Sequence, residues 1–532
     1  MKMKTEWVRA LLSVSVCLGV IAHGALAQER AFTPVTDAML LDPDPADWLM
    51  INRTFDEQRF SPLDQINREN VGQLGMAWAR GLPRGVQETT PIVYDGVMYL
   101  VQPGAGVLAV DAANGDQIWE YWRGLPDEAV DYVNSRTKNI AIYGDLVFYP
   151  APDGYLVALD AGSGEVRWET KVYELATNTQ HTGGVLVADG KVITNRTCSQ
   201  RVGCFIVAHD ALTGREVWKF YNTAAPGTPG GDSWGEVPLE GRVASSWGLP
   251  GSYDPERKIT IWGIANPTPY TRLTRHGNVD AISRVAPADL YSNSTVAIDV
   301  ETGELAWYYQ HLPGDDWDAD HLHERTLITT RFDPDPAAVK WINPGIIRGE
   351  ERDAVVAVGE GGGIWIIDRS TGEFLWAMPF PYDVPEFNIA DIDVETGGTQ
   401  INWDNVFLED GERHLTCFHN TRSYWSTAYD PNRNALYIPF HDSCLDMTAN
   451  ADNASGWGPR VGVIRPGSDP DEYMGMAKVD GRTDATVVGL NAEHGILDLE
   501  QAAAQDFQVG DRVWLLIADL NTSTALHDYI FA

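Results

Sequence analysis

LVALDAGSGEVRW, residues 156–168, is one copy of a phrase that recurs down this chain. An apolar run ends on Asp160, two or three small or polar residues lead to Gly164, and Trp168 follows a few residues on. The phrase returns as LAVDAANGDQIW (108–119), IVAHDALTGREVW (206–218), TVAIDVETGELAW (295–307) and WIIDRSTGEFLW (365–376). Each copy predicts an apolar strand, a tight turn with Gly where positive φ is wanted, and a second strand. Self-similarity at roughly 50 residues or somewhat more means one sheet per repeat. That is the pattern of an all-β fold, a β-propeller of four-stranded blades. The Trp after each turn is expected between neighbouring blades, where a large flat side chain fills the gap. Such a fold makes a funnel, and its chemistry belongs at the centre.

Outward from the repeat, the first residues read as a secretory signal. Lys2, Lys4 and Arg9 precede the apolar run Ala10–Ile21, and Ala25-Leu26-Ala27 offers small residues before a cut at Gln28. The run is too short for a comfortable membrane span, so the mature protein is expected in the periplasm of a Gram-negative host and not membrane-spanning. Asp and Glu number 75 against 39 Lys and Arg, an excess that repels nucleic acid and anionic lipid. It also serves solubility. Once Cys17 leaves with the signal, Cys198, Cys204, Cys417 and Cys444 remain, an even set in an oxidising compartment. Cys198 and Cys204 flank the loop SQRVG, and Cys417 and Cys444 can pair across one blade. No CxxCH occurs, which argues against covalently attached haem.

The expected organisation is a signal at 1–27, a propeller at 28–445, an irregular linker at 446–483 and a divergent segment at 484–532. Residues 28–45 read as an extended lead-in. The stretch from Trp48 to Trp78 mixes turns with one short helix and leads into the first strand. Between Trp218 and Asp299 the repeat spacing stretches around the run AAPGTPGGDSWGEVP, expected as a functional loop over the funnel mouth.

Charged side chains are densest in HLPGDDWDADHLHE, residues 311–324, which holds Asp315, Asp316, Asp318, Asp320 and Glu324. Carboxylates this close either gather a cation or perturb their own titration. In an extended segment Asp318 and Asp320 share one face and both reach a single hard cation. The bland alternative is a solvated acidic loop. Asn266, in IWGIANPTPY, precedes a proline and is biased to extended geometry, with an amide oxygen suited to a hard cation. An Asn-Pro turn initiator is the competing reading. Trp247, in SSWGLPGSYDP, sits among small residues that leave its face free for a flat ligand, though a Trp alone is more often core.

Taken together, WLMINRTFDEQRFSPL, QETTPIVYDGVMYL, the WDAD cluster and ANPTP resemble the pyrroloquinoline quinone (PQQ)-dependent alcohol dehydrogenases, from about Trp48 to Cys444. The resemblance implies an eight-bladed propeller that holds PQQ and a calcium or lanthanide ion on its axis. It also implies oxidation of a small alcohol and transfer of electrons to a periplasmic cytochrome c or other acceptor. By this resemblance Asp318 is the catalytic base, Asp320 the extra acid of lanthanide-dependent members, and Asn266 a metal ligand beside both. Trp247 forms one side of the PQQ sandwich; Glu88, Lys138 and Thr182 match cofactor contacts. Cys417 and Cys444 match a family disulfide.

The departures are specific. Tyr132–Asn134 occupy the region of a vicinal cysteine pair, Ser199 or Gln200 stands for a metal-binding Glu, and Glu360 replaces a Lys or Arg that bonds the quinone oxygens. No repeat is found after Tyr437. Two further classes therefore stay open: a non-catalytic binding or scaffold propeller, and an inactive truncated or fused product. The tail resembles the C-terminal domain of D-threonine aldolase-like proteins through EHG (493–495), VGDRV (509–513) and LHD (526–528). Asn521–Thr524 stand where that family carries metal ligands, so no zinc chemistry is implied.

Overall fold

The structure, a computed structural model, describes residues 32–127, 137–419, 421–440 and 444–463, with short strands further on at 478–479, 485–490, 495–499 and 515–516. The signal reading at 1–27 and the segment Tyr132–Asn134 lie outside the described residues.

Each repeat folds as its text dictates. The third strand of a blade ends on the repeated Asp, whose carbonyl accepts from the turn glycine: Gly115 to Asp111 at 2.8 Å, Gly164 to Asp160 at 2.8 Å, Gly303 to Asp299 at 2.9 Å. These glycines have φ of 70–76° in all five copies, a conformation that costs a Cβ-bearing residue. The Asp side chain then folds back onto turn N–H groups, as in Ala113 to Asp111 at 2.8 Å and Ser163 to Asp160 at 2.9 Å. Two strands meet at each turn, and antiparallel pairing extends them into blades.

Blades of four antiparallel strands occupy Ile92–Trp122, Ala141–Lys171, Val185–Tyr221 and Ser252–Gln310; a fifth, Thr326–Met378, adds a short edge strand at Trp341–Ile342. A three-stranded sheet follows, Arg413–Cys417, Cys444–Ala449 and Trp457–Val463, beside the hairpin Ala428–Tyr437. The fold is an all-β propeller. Disulfides join Cys198 to Cys204 and Cys417 to Cys444, the second across facing residues of two paired strands.

The repeated Trp is what ties one blade to the next. Trp119 donates its indole N–H to the carbonyl of Ala161, 2.9 Å away, just past the repeated Asp of the following blade. Trp168 does the same to Ala211 at 3.2 Å, Trp218 to Val300 at 2.8 Å and Trp307 to Arg369 at 3.1 Å. Each ring lies flat on the next turn glycine: a Cβ on Gly164 would stand 2.6 Å from the ring of Trp119. The glycine is thus required twice, for φ and for close approach. Replacing Trp119 with Ala removes a buried ring and its hydrogen bond together. We expect a loss of about 3–5 kcal/mol in equilibrium unfolding by urea, whereas a loss under 1 kcal/mol would detach the Trp from blade cohesion.

The same geometry explains Trp78, which precedes any strand. It donates to Ala112 at 3.0 Å and covers Gly115, so it serves the first blade as the other tryptophans serve theirs. The first strand begins only at Ile92, and the short helical turn in this stretch is Val71–Gln73.

Two expectations are corrected, and the structure of a third segment is defined. The lead-in at 28–45 is not extended throughout: Thr36 caps a helical turn at Asp37–Leu41. The expected linker at 446–483 contains the strand Trp457–Val463, paired with Cys444–Ala449, so the sheet runs past residue 445. The Gly/Pro-rich run does not hang free. It folds into a helical turn at Gly231–Trp234 around a fully buried Trp234, with Arg242 tied to the carbonyls of Ala224 and Gly231 at 2.7 and 2.8 Å.

Between its caps and the first blade the chain crosses several sheets. Trp48 pairs with Val93 of the first blade, the carbonyl of Phe55 accepts from Tyr253 of the fourth, and that of Asp56 from Leu327 of the fifth. The carbonyl of Gln58 accepts from Tyr429 in the hairpin. One segment therefore braces four separate sheets.

Candidate active site

Of the five acids between His311 and Glu324, three are consumed in holding the loop. Asp315 accepts from the backbone N–H of Trp317 and Ala319 and from the Asn293 amide, at 2.6, 2.9 and 2.7 Å. Asp316 accepts from the backbone of Arg272 and Phe407. Glu324 pairs with Arg422 and takes both the N–H and the hydroxyl of Thr427. Asp318 and Asp320 are left facing one another's surroundings.

Those two meet through Asn266. Its side-chain amide donates to Asp318 at 2.9 Å and its backbone N–H to Asp320 at 2.7 Å. The other Asp320 oxygen accepts from the Trp247 indole at 2.7 Å. Four residues singled out in sequence, from three separate segments, thus form one hydrogen-bonded group. The route differs from the expected one: Asp318 has φ of 60°, so the segment is not extended there. A left-handed conformation at a residue with a Cβ is uncommon and stores strain, a cost that concentrates at functional sites. Burial first, and then the charge of Asp318, hold the Asp320 carboxyl well above the usual carboxylate range.

Lys138 and Glu88 form a second unit, a buried ion pair at 2.6 Å. The ammonium lies 5.3 Å from the centre of the Trp247 ring and 5.0 Å from that of Tyr424, joining this unit to the first. Thr182 stands apart. Its hydroxyl is shared with that of Thr197 at 2.5 Å.

Sequence reasoning missed His323, Arg422 and Tyr424, and recorded Glu360 only as a departure. His323 packs edge-on against Trp247, with ring centres 5.3 Å apart, and its Nε2 lies 3.0 Å from the Glu360 carboxylate. The backbone N–H of Glu360 donates to the carbonyl of Asp320 at 2.8 Å, which fixes Glu360 beside the acid pair. Burial, followed by the charge of Asp320, pushes the Glu360 carboxyl well up; burial and then the Arg422 charge push His323 well down. His323 had a legible signal, since it lies three residues after Asp320 in the same acidic segment. Tyr424 and Arg422 had none.

Among the described residues no three His, Cys, Asp or Glu side chains are grouped to hold a metal ion by themselves. The donor set that exists is Asp318, Asp320 and the Asn266 amide. A half-buried carboxylate, Asp318, and a buried one, Asp320, held this close repel one another, and a hard cation bound by oxygen ligands relieves that repulsion. The set fits such an ion with one carboxylate fewer than a three-acid cage.

Residues 48–389 match the family described as glucose/ethanol/alcohol dehydrogenase, beta-propeller domain, and the chain belongs to that family. Quinohemoprotein alcohol dehydrogenase ADH-IIG of Pseudomonas putida is 32% identical over 81% of this chain and 59% of that protein. The solved structure of ADHIIG from Pseudomonas putida HK5 has a TM-score of 0.68 at 29% identity, covering 80% of this chain and 62% of that one. A europium-containing methanol dehydrogenase also has a TM-score of 0.68, at 23% identity over 82% of this chain and 76% of that one, and supports the fold. This chain spans about three fifths of the length of the first curated relatives it matches. Residues 454–532 match a different family, described as a putative serine dehydratase domain, in accord with the resemblance of the tail.

Proposed function

We propose that this chain is a PQQ-dependent dehydrogenase that oxidises a small alcohol to an aldehyde or ketone with the help of a calcium or lanthanide ion. The observation that carries the reading is the convergence of Asp318, Asp320, Asn266 and Trp247 on one site through bonds of 2.7–2.9 Å. Bound there, PQQ supplies a carbonyl carbon that accepts hydride, polarised by the cation.

The residues of the chain do the rest. Asp318 accepts the alcohol's hydroxyl proton while hydride leaves the carbinol carbon, and the Asn266 amide keeps that carboxylate in place. Asp320 and Asn266, with Asp318, hold the cation. The second acid of the WDAD segment adds the negative charge from which a trivalent ion gains most. Trp247 offers its face to a flat ring, while its indole N–H, tied to Asp320, turns the ring edge to that acid and fixes the plane of the ring. Glu88 and Lys138 lie beside the ring as a paired donor and acceptor.

Among the described residues no helix is long and apolar enough to cross a membrane. The signal-like first residues support a periplasmic enzyme, and the family supports passage of its electrons to a cytochrome c or other acceptor. The experiment is reconstitution of the full chain with PQQ and either calcium or lanthanum, followed by dye-linked alcohol oxidation. Turnover with one of the metals is expected. Absence of both turnover and bound-quinone absorbance with either metal removes the reading, and leaves the non-catalytic propeller in its place.

A further inference from the structure

Several buried polar atoms without hydrogen-bond partners lie around Glu360. Thr421 donates its backbone N–H to the Glu360 carbonyl at 2.9 Å, and the Ser423 side chain bonds the Glu360 carboxylate. Arg422 stands between them, its side chain 1% exposed. One guanidinium nitrogen is committed to Glu324, while Nε and Nη1 are buried with no hydrogen-bond partner. The Thr421 hydroxyl, the His323 Nδ1 and both amide atoms of Asn388 are buried without partners too. Asn388 belongs to the same wall: a Cβ on Gly361, next to Glu360, would stand 3.6 Å from its amide nitrogen and 2.7 Å from the Cβ of Ala319, between the two acids.

Buried N–H groups left unpaired are costly, so a wall with several of them is built for something that accepts hydrogen bonds. One Glu324 carboxylate oxygen and the Asn388 amide oxygen are unpaired acceptors, but the other orphan atoms here can all donate, and one donor group is a permanent cation. The acids Asp318, Asp320 and Glu360 would repel an oxygen-rich anionic ligand, and Lys138 is already paired with Glu88.

Resting on the function proposed above, we infer that Arg422, helped by Thr421 and Asn388, is the cationic wall that receives the oxygen atoms of PQQ in this chain. It takes over the task that the acid at Glu360 cannot perform. Arginine suits this role because Nε and Nη1 can each donate to a separate oxygen while Nη2 stays on Glu324.

The test is direct binding of PQQ to the purified full chain, read by quenching of tryptophan fluorescence, alongside terbium luminescence as an independent readout of the metal site. Removing Arg422 alone would strand Glu324, so the main variant is the double substitution Arg422→Met with Glu324→Gln, which deletes the pair. We expect PQQ affinity to fall at least about tenfold with the terbium titration unchanged, and Arg422→Lys to retain part of the affinity. Wild-type affinity for PQQ in the double variant overturns the assignment. If the wild-type chain binds terbium but no PQQ, the functional reading fails first and takes this one with it.

Discussion

Substituting Asp318 by Asn should lower alcohol turnover by about 10²–10⁴-fold, the range that a positioned general base contributes. The amide is nearly the same size, so the loop keeps its shape, yet it cannot take a proton from the alcohol. Two further readings separate base from scaffold. PQQ binding should persist, because Trp247, Glu88 and Lys138 are untouched. The bond from Asn266 also has an acceptor left, since the new side chain can offer its carbonyl oxygen in place of the carboxylate. Turnover within a factor of two of wild type would assign the base elsewhere.

Deleting the Asp320 carboxylate should have a comparable effect on the metal. In Asp320→Ala the site loses a buried charge, and the Trp247 indole and Asn266 backbone N–H lose their acceptor. Breaking a buried, hydrogen-bonded charge site costs about 3–5 kcal/mol, so terbium affinity should fall by about 10²-fold or more. Calcium, with lower charge, should lose less. Asp320→Asn keeps an acceptor for only one of the two donors and is expected to lie between. Equal losses for calcium and terbium would mean that Asp320 orients Trp247 and Asn266 and does not select the ion.

The propeller was legible because its determinant is local. Asp160, Gly164 and Trp168 act within one turn and its neighbour, so the phrase announces both the hairpin and the seam between blades. A sixth turn was passed over: Gly397 donates to the Asp393 carbonyl at 2.7 Å with φ of 76°, as in the other copies. There DVETGG lacks the Trp four residues on, and Tyr309 and Phe374 cover its glycine in place of a preceding tryptophan. Matching on the ring hid a turn that the aspartate and glycine alone define.

The site was legible in part. Asp318, Asp320, Asn266 and Trp247 have side chains whose chemistry is unusual in their contexts, and all four converge. Asp315 and Asp316 looked equally chemical, but which acids serve the backbone depends on Asn293, Arg272 and Phe407, and no local spacing encodes those contacts. The same holds for Arg422, a cation in an undistinguished stretch that becomes notable only once its nitrogens are found buried. Glu360 was read as a loss; the fold surrounds it with His323, Ser423 and Arg422.

The brace from Trp48 to Gln58 bears on the tempo of assembly. Its carbonyls are satisfied by Tyr253, Leu327 and Tyr429, residues made hundreds of positions later. Contacts of such long range must wait for chain that has not yet emerged, and closing large loops slows folding. This early segment is therefore among the last to settle, and a brace mutant should be recognised by sluggish refolding before any defect in catalysis.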